Sequence, residues 1–151
     1  MILLDTNVVS EVMRPRPEPC VMAWLQAQAV QNLATTTITL AEIGVGLARL
    51  PESRRRFSLE GKFHAFVSRG LGPRVFGFDA AAAALYGEMV AAREAAGRPL
   101  TGFDGLIAAI ARSREASVAT RNVAHFESCG VVLINPWDCD PDRKPDHQPS
   151  K

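Results

Sequence analysis

Short apolar runs and longer segments of helical periodicity alternate along this chain. Residues 2–4, 33–36, 74–78, 117–120 and 131–134 are brief stretches rich in Leu, Ile, Val and Thr, the pattern of strands buried in a sheet. Residues 8–13 form a short helical segment stopped by Pro15 and Pro17, and residues 19–29 a second, with Pro19 in a first turn that needs no N–H from it. Residues 39–50 place Leu40, Ile43, Leu47 and Leu50 on one face before Pro51 ends the helix, and residues 52–69 predict a longer, more polar one. Asp79 is a good N-cap for an Ala-rich helix in which Ala82, Leu85, Met89, Ala92 and Ala96 recur at helical spacing, and Gly97 supplies its left-handed stop. A last strong helix spans residues 102–114.

Strands separated by helical segments of this length imply a parallel sheet with helices on both faces, a doubly wound α/β domain. Residues 1–137 predict that single domain. From residue 138 the chain is polar and interrupted by proline, which predicts a flexible tail over 138–151 that buries no core.

Composition narrows the class. At 151 residues, 47% hydrophobic and 22% charged, the chain can bury roughly two-thirds of its unfolded surface without a metal or disulfide. The 17 Lys and Arg against 16 Asp and Glu leave a net charge of +1, so any attraction for a polyanion must come from local patches. Cys20, Cys129 and Cys139 are widely spaced and lack the company of a zinc site, which predicts three free thiols in a reducing cytoplasm. No apolar run is long enough to cross a membrane.

The chemistry resides in acids at the ends of elements. In an open α/β sheet, ligands bind beyond the carboxyl ends of the strands, where the strand order reverses. Asp5 directly follows the first strand, Glu42 follows the second closely, and Asn122 follows the strand at 117–120, so all three fall on one edge. Asp104, in the first turn of a helix, can rise from the same edge. Each acid also has a structural reading: Thr39-x-x-Glu42 is a capping-box pattern, Thr101-x-x-Asp104 resembles one, and Asp5-Thr6-Asn7 could be a capped turn. Against that reading, Glu42 projects away from the apolar stripe of its helix. Gly44 and Gly46 beside it suggest a close backbone approach that would fix it against the sheet. Three converging carboxylates repel, so without a cation at least one should have a raised pKa. An all-oxygen set of this kind suits Mg²⁺ or Mn²⁺, and the ion would serve metal-assisted phosphodiester hydrolysis.

These residues resemble a known family. Leu-Leu-Asp5-Thr-Asn, Thr-x-x-Glu42-x-x-x-Gly46, Phe-Asp104-x-x-Ile-Ala-Ala, Ala-Thr-Arg-Asn122-x-x-x-Phe and a closing Ile-Asn-Pro-Trp, in this order from Met1 to about Trp137, look like the VapC-type PIN-domain toxins. The resemblance implies a PIN-like three-layer α/β/α fold. It implies a Mg²⁺- or Mn²⁺-dependent endoribonuclease, the toxin of a type II toxin–antitoxin pair, with Asp5, Asp104 and Glu42 as metal ligands. Asn122 matches the fourth catalytic position, where many relatives have an acid; an amide there adds no charge. His125 stands in a stretch where relatives often carry another acid and is not assigned to the core site.

The same resemblance implies a homodimer, an RNA substrate, a small antitoxin lying across a hydrophobic groove, and promoter DNA contacted only through that antitoxin. Thr6 and Asn7 are expected to orient Asp5; Thr120 or Arg121 could approach phosphate, although Arg121 reads more readily as a solvated loop residue. Arg54, Arg55 and Arg56 read either as an RNA contact or as a solvated helix face, and His64 as a helix-surface residue. Trp24, Phe57, Phe63 and Phe66 read as core or interface. Two alternatives stay open: a PIN-like binding or scaffold module with a weakened site, and a phosphatase using an Asp nucleophile, which Asn7 disfavours because that chemistry wants an acid at this position.

Overall fold

A computed structural model describes residues 1–100 and 102–138 of the chain. The tail expected from residue 138 onward lies, beyond Asp138, outside the described residues, as does Thr101 of the second capping pattern. The elements run β1 (Ile2–Leu4), α1 (Thr6–Met13), α2 (Pro19–Gln26), a 3-10 turn (Val30–Asn32), β2 (Leu33–Thr36), α3 (Thr37–Ala48) and α4 (Arg54–Ala65), which widens into a π-helical turn over Phe66–Leu71. They continue with β3 (Val75–Phe76), α5 (Ala80–Ala95), α6 (Asp104–Ser113), β4 (Ser117–Ala119), α7 (Val123–Phe126) and β5 (Leu133–Ile134).

The five strands form one sheet in the order β3-β2-β1-β4-β5, and every neighbouring pair is parallel. Leu3 stands between Ala34 and Val118, so β1 is central although only three residues long. Period-two alternation sends Leu3, Ala34 and Val118 to one face and Leu4, Leu33 and Ala119 to the other. The first face packs against Ala82 and Met89 of α5, Ile107 and Ile110 of α6 and Phe126 of α7. The second packs against Val8 and Val9 of α1, Val21 of α2, Ile43 and Leu47 of α3, and Leu71. The architecture is therefore the three-layer α/β/α sandwich expected, with strand order reversing between β1 and β4. Among the described residues no helix is long and apolar enough to cross a membrane.

The departures from expectation are local. The third strand is confined to Val75–Phe76 rather than 74–78, because Gly77 and Phe78 are exposed and lead directly into the Asp79 cap. That cap is as expected: Asp79 accepts from Ala82 N–H at 3.0 Å, and Gly97 adopts φ +69° past the end of α5. Helix α3 starts earlier than 39. Its N-cap is Thr36, wholly buried, whose hydroxyl accepts from Thr39 N–H at 3.0 Å. Thr39 is thus inside the helix and the Thr39–Glu42 capping box does not form. Gly44 and Gly46 are exposed, with nothing within 4 Å of a Cβ added at either, so no backbone approaches there. The close approach falls instead at Gly105 in α6, where a Cβ would meet Tyr86 at 3.1 Å and Leu100 at 3.2 Å. Cys129 is free and buried, but Cys20 is disulfide-bonded, which corrects the expectation of three free thiols; spacing along a chain does not report proximity in the fold.

Because Thr36 both ends β2 and caps α3, its hydroxyl fixes the junction that carries Glu42. Thr36→Ala should lower unfolding stability by about 1–2 kcal/mol, read as a lower urea midpoint with an unchanged slope.

Candidate active site

Asp5 leaves the carboxyl end of β1 with its backbone N–H still paired to Ala119 O at 3.0 Å, so it is anchored in the sheet at the switch point. Its side chain is 2% exposed and also caps α1, one oxygen accepting from Thr6 N–H at 2.7 Å. The other oxygen accepts from Asn7 Nδ2 at 2.6 Å and from the Thr120 hydroxyl at 2.7 Å. Thr120 is wholly buried; its Oγ1 in turn accepts from Asn7 Nδ2 and from Asn122 N–H, each at 3.0 Å. Thr6 and Asn7 therefore orient Asp5 as expected. Thr120 is tied to the carboxylate rather than left free for phosphate.

The other acids are held by separate partners. Glu42 Oε2 accepts from the Thr6 hydroxyl at 2.5 Å, a link from α3 to the first residue of α1. Its role is thus tertiary, in place of the helix-capping role that its spacing also permitted. Asp104 is the first residue of α6, where Phe103 supplies no side-chain cap, and its Oδ2 accepts from His125 Nδ1 at 2.7 Å. His125 has no place in the site expected from sequence. The sequence signals for it are its place in a stretch where the resembled family often carries an acid and its position three residues after Asn122. Asn122 itself is exposed, and its side chain makes no hydrogen bond among the described residues.

The charges of Asp104 and Glu42 both act on Asp5. Burial pushes the Asp5 carboxyl up from 3.8 to about 6; the hydrogen bonds from Thr120 and Thr6 oppose the rise, and the charges of Asp104 and Glu42 add to it. The expected raised acid is thus present, but its principal cause is burial, with the repulsion between carboxylates the smallest contribution. Among the described residues no three His, Cys, Asp or Glu side chains form a group that could hold a metal ion directly. Mg²⁺ does not require one, since it keeps several waters and binds through one or two carboxylates. The donor chemistry, all oxygen with excess negative charge around a buried carboxylate, fits such an ion.

Of the other sequence candidates, Arg56 is engaged with Glu60 at 2.7 Å and with Leu50 O at 3.2 Å, so only Arg54 and Arg55 of that run stay exposed and unpaired among the described residues. Trp24, Phe63 and Phe66 pack on the core, Phe57 is exposed, and His64 lies on the surface of α4.

Residues 2–128 match the PIN domain family. Over 138 residues the chain is 38% identical to the VapC ribonuclease Y4jK of Sinorhizobium fredii, covering 91% of this chain and 99% of that one. The solved structure of FitAcB from Neisseria gonorrhoeae superposes with a TM-score of 0.86 at 34% identity, over 92% of this chain and 100% of the other. The structure of FitAB bound to an IR36 DNA fragment gives the same TM-score and identity over 93% and 98%. The chain belongs to the PIN-domain family and, within it, to the VapC-type toxins.

An acid with a folded pKa near 6 against an ordinary 3.8 holds its proton more tightly in the folded chain than in the unfolded one. Its ionisation therefore opposes folding: the cost is absent below about pH 4, grows between about 4 and 6, and reaches about 3 kcal/mol above that window. Asp5→Asn should accordingly raise the stability of metal-free protein at neutral pH by up to that amount, with the gain vanishing near pH 4. Urea denaturation of both proteins across this range measures it.

Proposed function

We propose that this chain is the toxin of a toxin–antitoxin pair and acts as a divalent-metal-dependent endoribonuclease, hydrolysing RNA phosphodiester bonds. The observation that carries the reading is Asp5, a buried carboxylate at the switch point of the sheet, with Glu42 and Asp104 close enough to raise its pKa. Asp5, Asp104 and Glu42 are the residues that would hold Mg²⁺ or Mn²⁺. The bound ion supplies a Lewis acid for the phosphoryl oxygen, activation of water near neutral pH and charge to stabilise the leaving oxygen.

The chain's own residues provide orientation. Thr6, Asn7 and Thr120 donate to both oxygens of Asp5 and restrain the carboxylate from rotating. Thr6 draws Glu42 toward it, and His125 fixes one oxygen of Asp104 and leaves the other for the ion. Asn122, at the fourth catalytic position, brings no charge, which favours a site built around one ion. Substrate binding then positions the scissile phosphate against these acids, and positioning supplies a large part of the rate.

The partners follow the relatives. The similar FitAB is bound to DNA, and we assign promoter DNA to the antitoxin and a homodimeric state to the toxin. An apolar groove lined by Leu25, Val30, Leu33, Phe66 and Leu71 is a surface suited to the hydrophobic segment of a small antitoxin. An RNA substrate places the activity in the cytoplasm.

Antitoxin-free protein incubated with total cellular RNA and Mn²⁺ or Mg²⁺ should produce discrete new RNA ends, and EDTA should abolish them. Asp104→Asn and Asp5→Asn should each lower the rate at least about a hundredfold, roughly 3 kcal/mol of transition-state stabilisation, without unfolding the domain. Undiminished cleavage in EDTA or in both variants would reject the assigned site.

A further inference from the structure

Resting on the ribonuclease reading, the geometry points to a second RNA contact at the rim of the acidic pocket: we propose that Arg121, seated on Trp137, binds a backbone phosphate of the substrate strand beside the scissile one. A net charge of +1 gives the chain no long-range pull on RNA, and its pocket of acids repels a phosphate strand. A cation near the pocket is needed to offset that repulsion, and it must not be neutralised by a carboxylate of its own.

Arg121 meets both conditions. Its backbone N–H donates to Asn7 Oδ1 at 3.0 Å, and the amide of Asn7 donates to Asp5 Oδ2 at 2.6 Å, so the residue is coupled to the metal-binding carboxylate by two hydrogen bonds. Its guanidinium lies over the indole of Trp137 with the carbon 5.5 Å from the ring centroid, and the residue is exposed. Among the described residues no carboxylate pairs with it within 4 Å. Its charge acts on Glu11, but that carboxylate is already satisfied by Arg14 at 3.0 Å and by the Glu18 N–H at 2.8 Å. With its N–H on Asn7 and its guanidinium over Trp137, Arg121 stands at the rim of the pocket, where it is offered to a phosphate neighbouring the one being cut.

Chemistry favours RNA as the ligand of this pair. A guanidinium presents planar donors that match phosphate oxygens, and stacking on an aromatic ring leaves its edge free to make those bonds. Trp137 packs its own body against the core, and its N–H backbone donates to Asn135 Oδ1 at 3.1 Å, so the platform is rigid.

The test uses the full chain carrying Asp104→Asn to prevent turnover, and a mixed-sequence single-stranded RNA oligonucleotide as the probe, with affinity measured by fluorescence anisotropy over a range of salt. Arg121→Gln should weaken binding about tenfold and reduce the slope of log affinity against log salt by about 0.7, the value for one phosphate contact on a single strand. Arg121→Lys should keep the slope and lose part of the affinity. In otherwise unsubstituted protein, Mn²⁺ affinity and thermal midpoint should not change with Arg121→Gln, which separates a substrate contact from a structural role. An unchanged salt slope in Arg121→Gln overturns the assignment while leaving the ribonuclease reading intact. A parent chain that binds no RNA at all overturns both.

Discussion

The structure depends on a carboxylate held where it is costly to hold one. Asp5 stands at the end of the central strand, 2% exposed and within the field of two further acids, and its ionisation opposes folding at neutral pH. What keeps it in place is a set of hydrogen bonds from three directions: the first turn of α1 through Thr6, the Asn7 side chain one residue on, and Thr120 at the end of β4. Because Thr120 follows β4 and Asp5 follows β1, the network spans the switch point and ties the two strands at the edge where a ligand binds. A bound cation would relieve this local conflict and return the stability that ionisation of Asp5 costs.

The surrounding fold serves that arrangement. Two hydrophobic layers clamp the sheet from both faces, and β1, with only three residues, relies on them and on both neighbouring strands to fix the backbone at Asp5. Helix α6 brings Asp104 in at its first residue. The close packing of Tyr86 and Leu100 around Gly105 sets how near that helix start lies to its neighbours. Glu42 arrives from α3, whose start is fixed by the buried Thr36 cap. Three elements far apart in sequence thus carry the three acids of the proposed site.

The strands and the order of the helices were legible because their signal is local: a short apolar run against a 3.6-residue period, with Pro51, Asp79 and Gly97 as punctuation. Asp5 could be placed for the same reason, since a residue that directly follows a parallel strand has little choice of side. The partners of those acids were not legible. Nothing in the spacing of Thr6 and Glu42 or of Asp104 and His125 announces a contact, because each pair is joined only when two helices separated in sequence pack side by side on the same face of the sheet. The glycines misled for a related reason. A glycine in a helix signals possible close approach, but whether a neighbour is present depends on tertiary packing, absent at Gly44 and Gly46 and present at Gly105.

The central claim is that Asp5, Glu42 and Asp104 are a cation site, with Asp5 as its buried centre. Calorimetric titration of Mn²⁺ into metal-free protein at neutral pH, parent beside Asp5→Asn, tests it most directly. The account predicts saturable binding near one ion per chain in the parent and its loss in the variant. Equal Mn²⁺ affinity in the two proteins, or no binding by the folded parent, would contradict it.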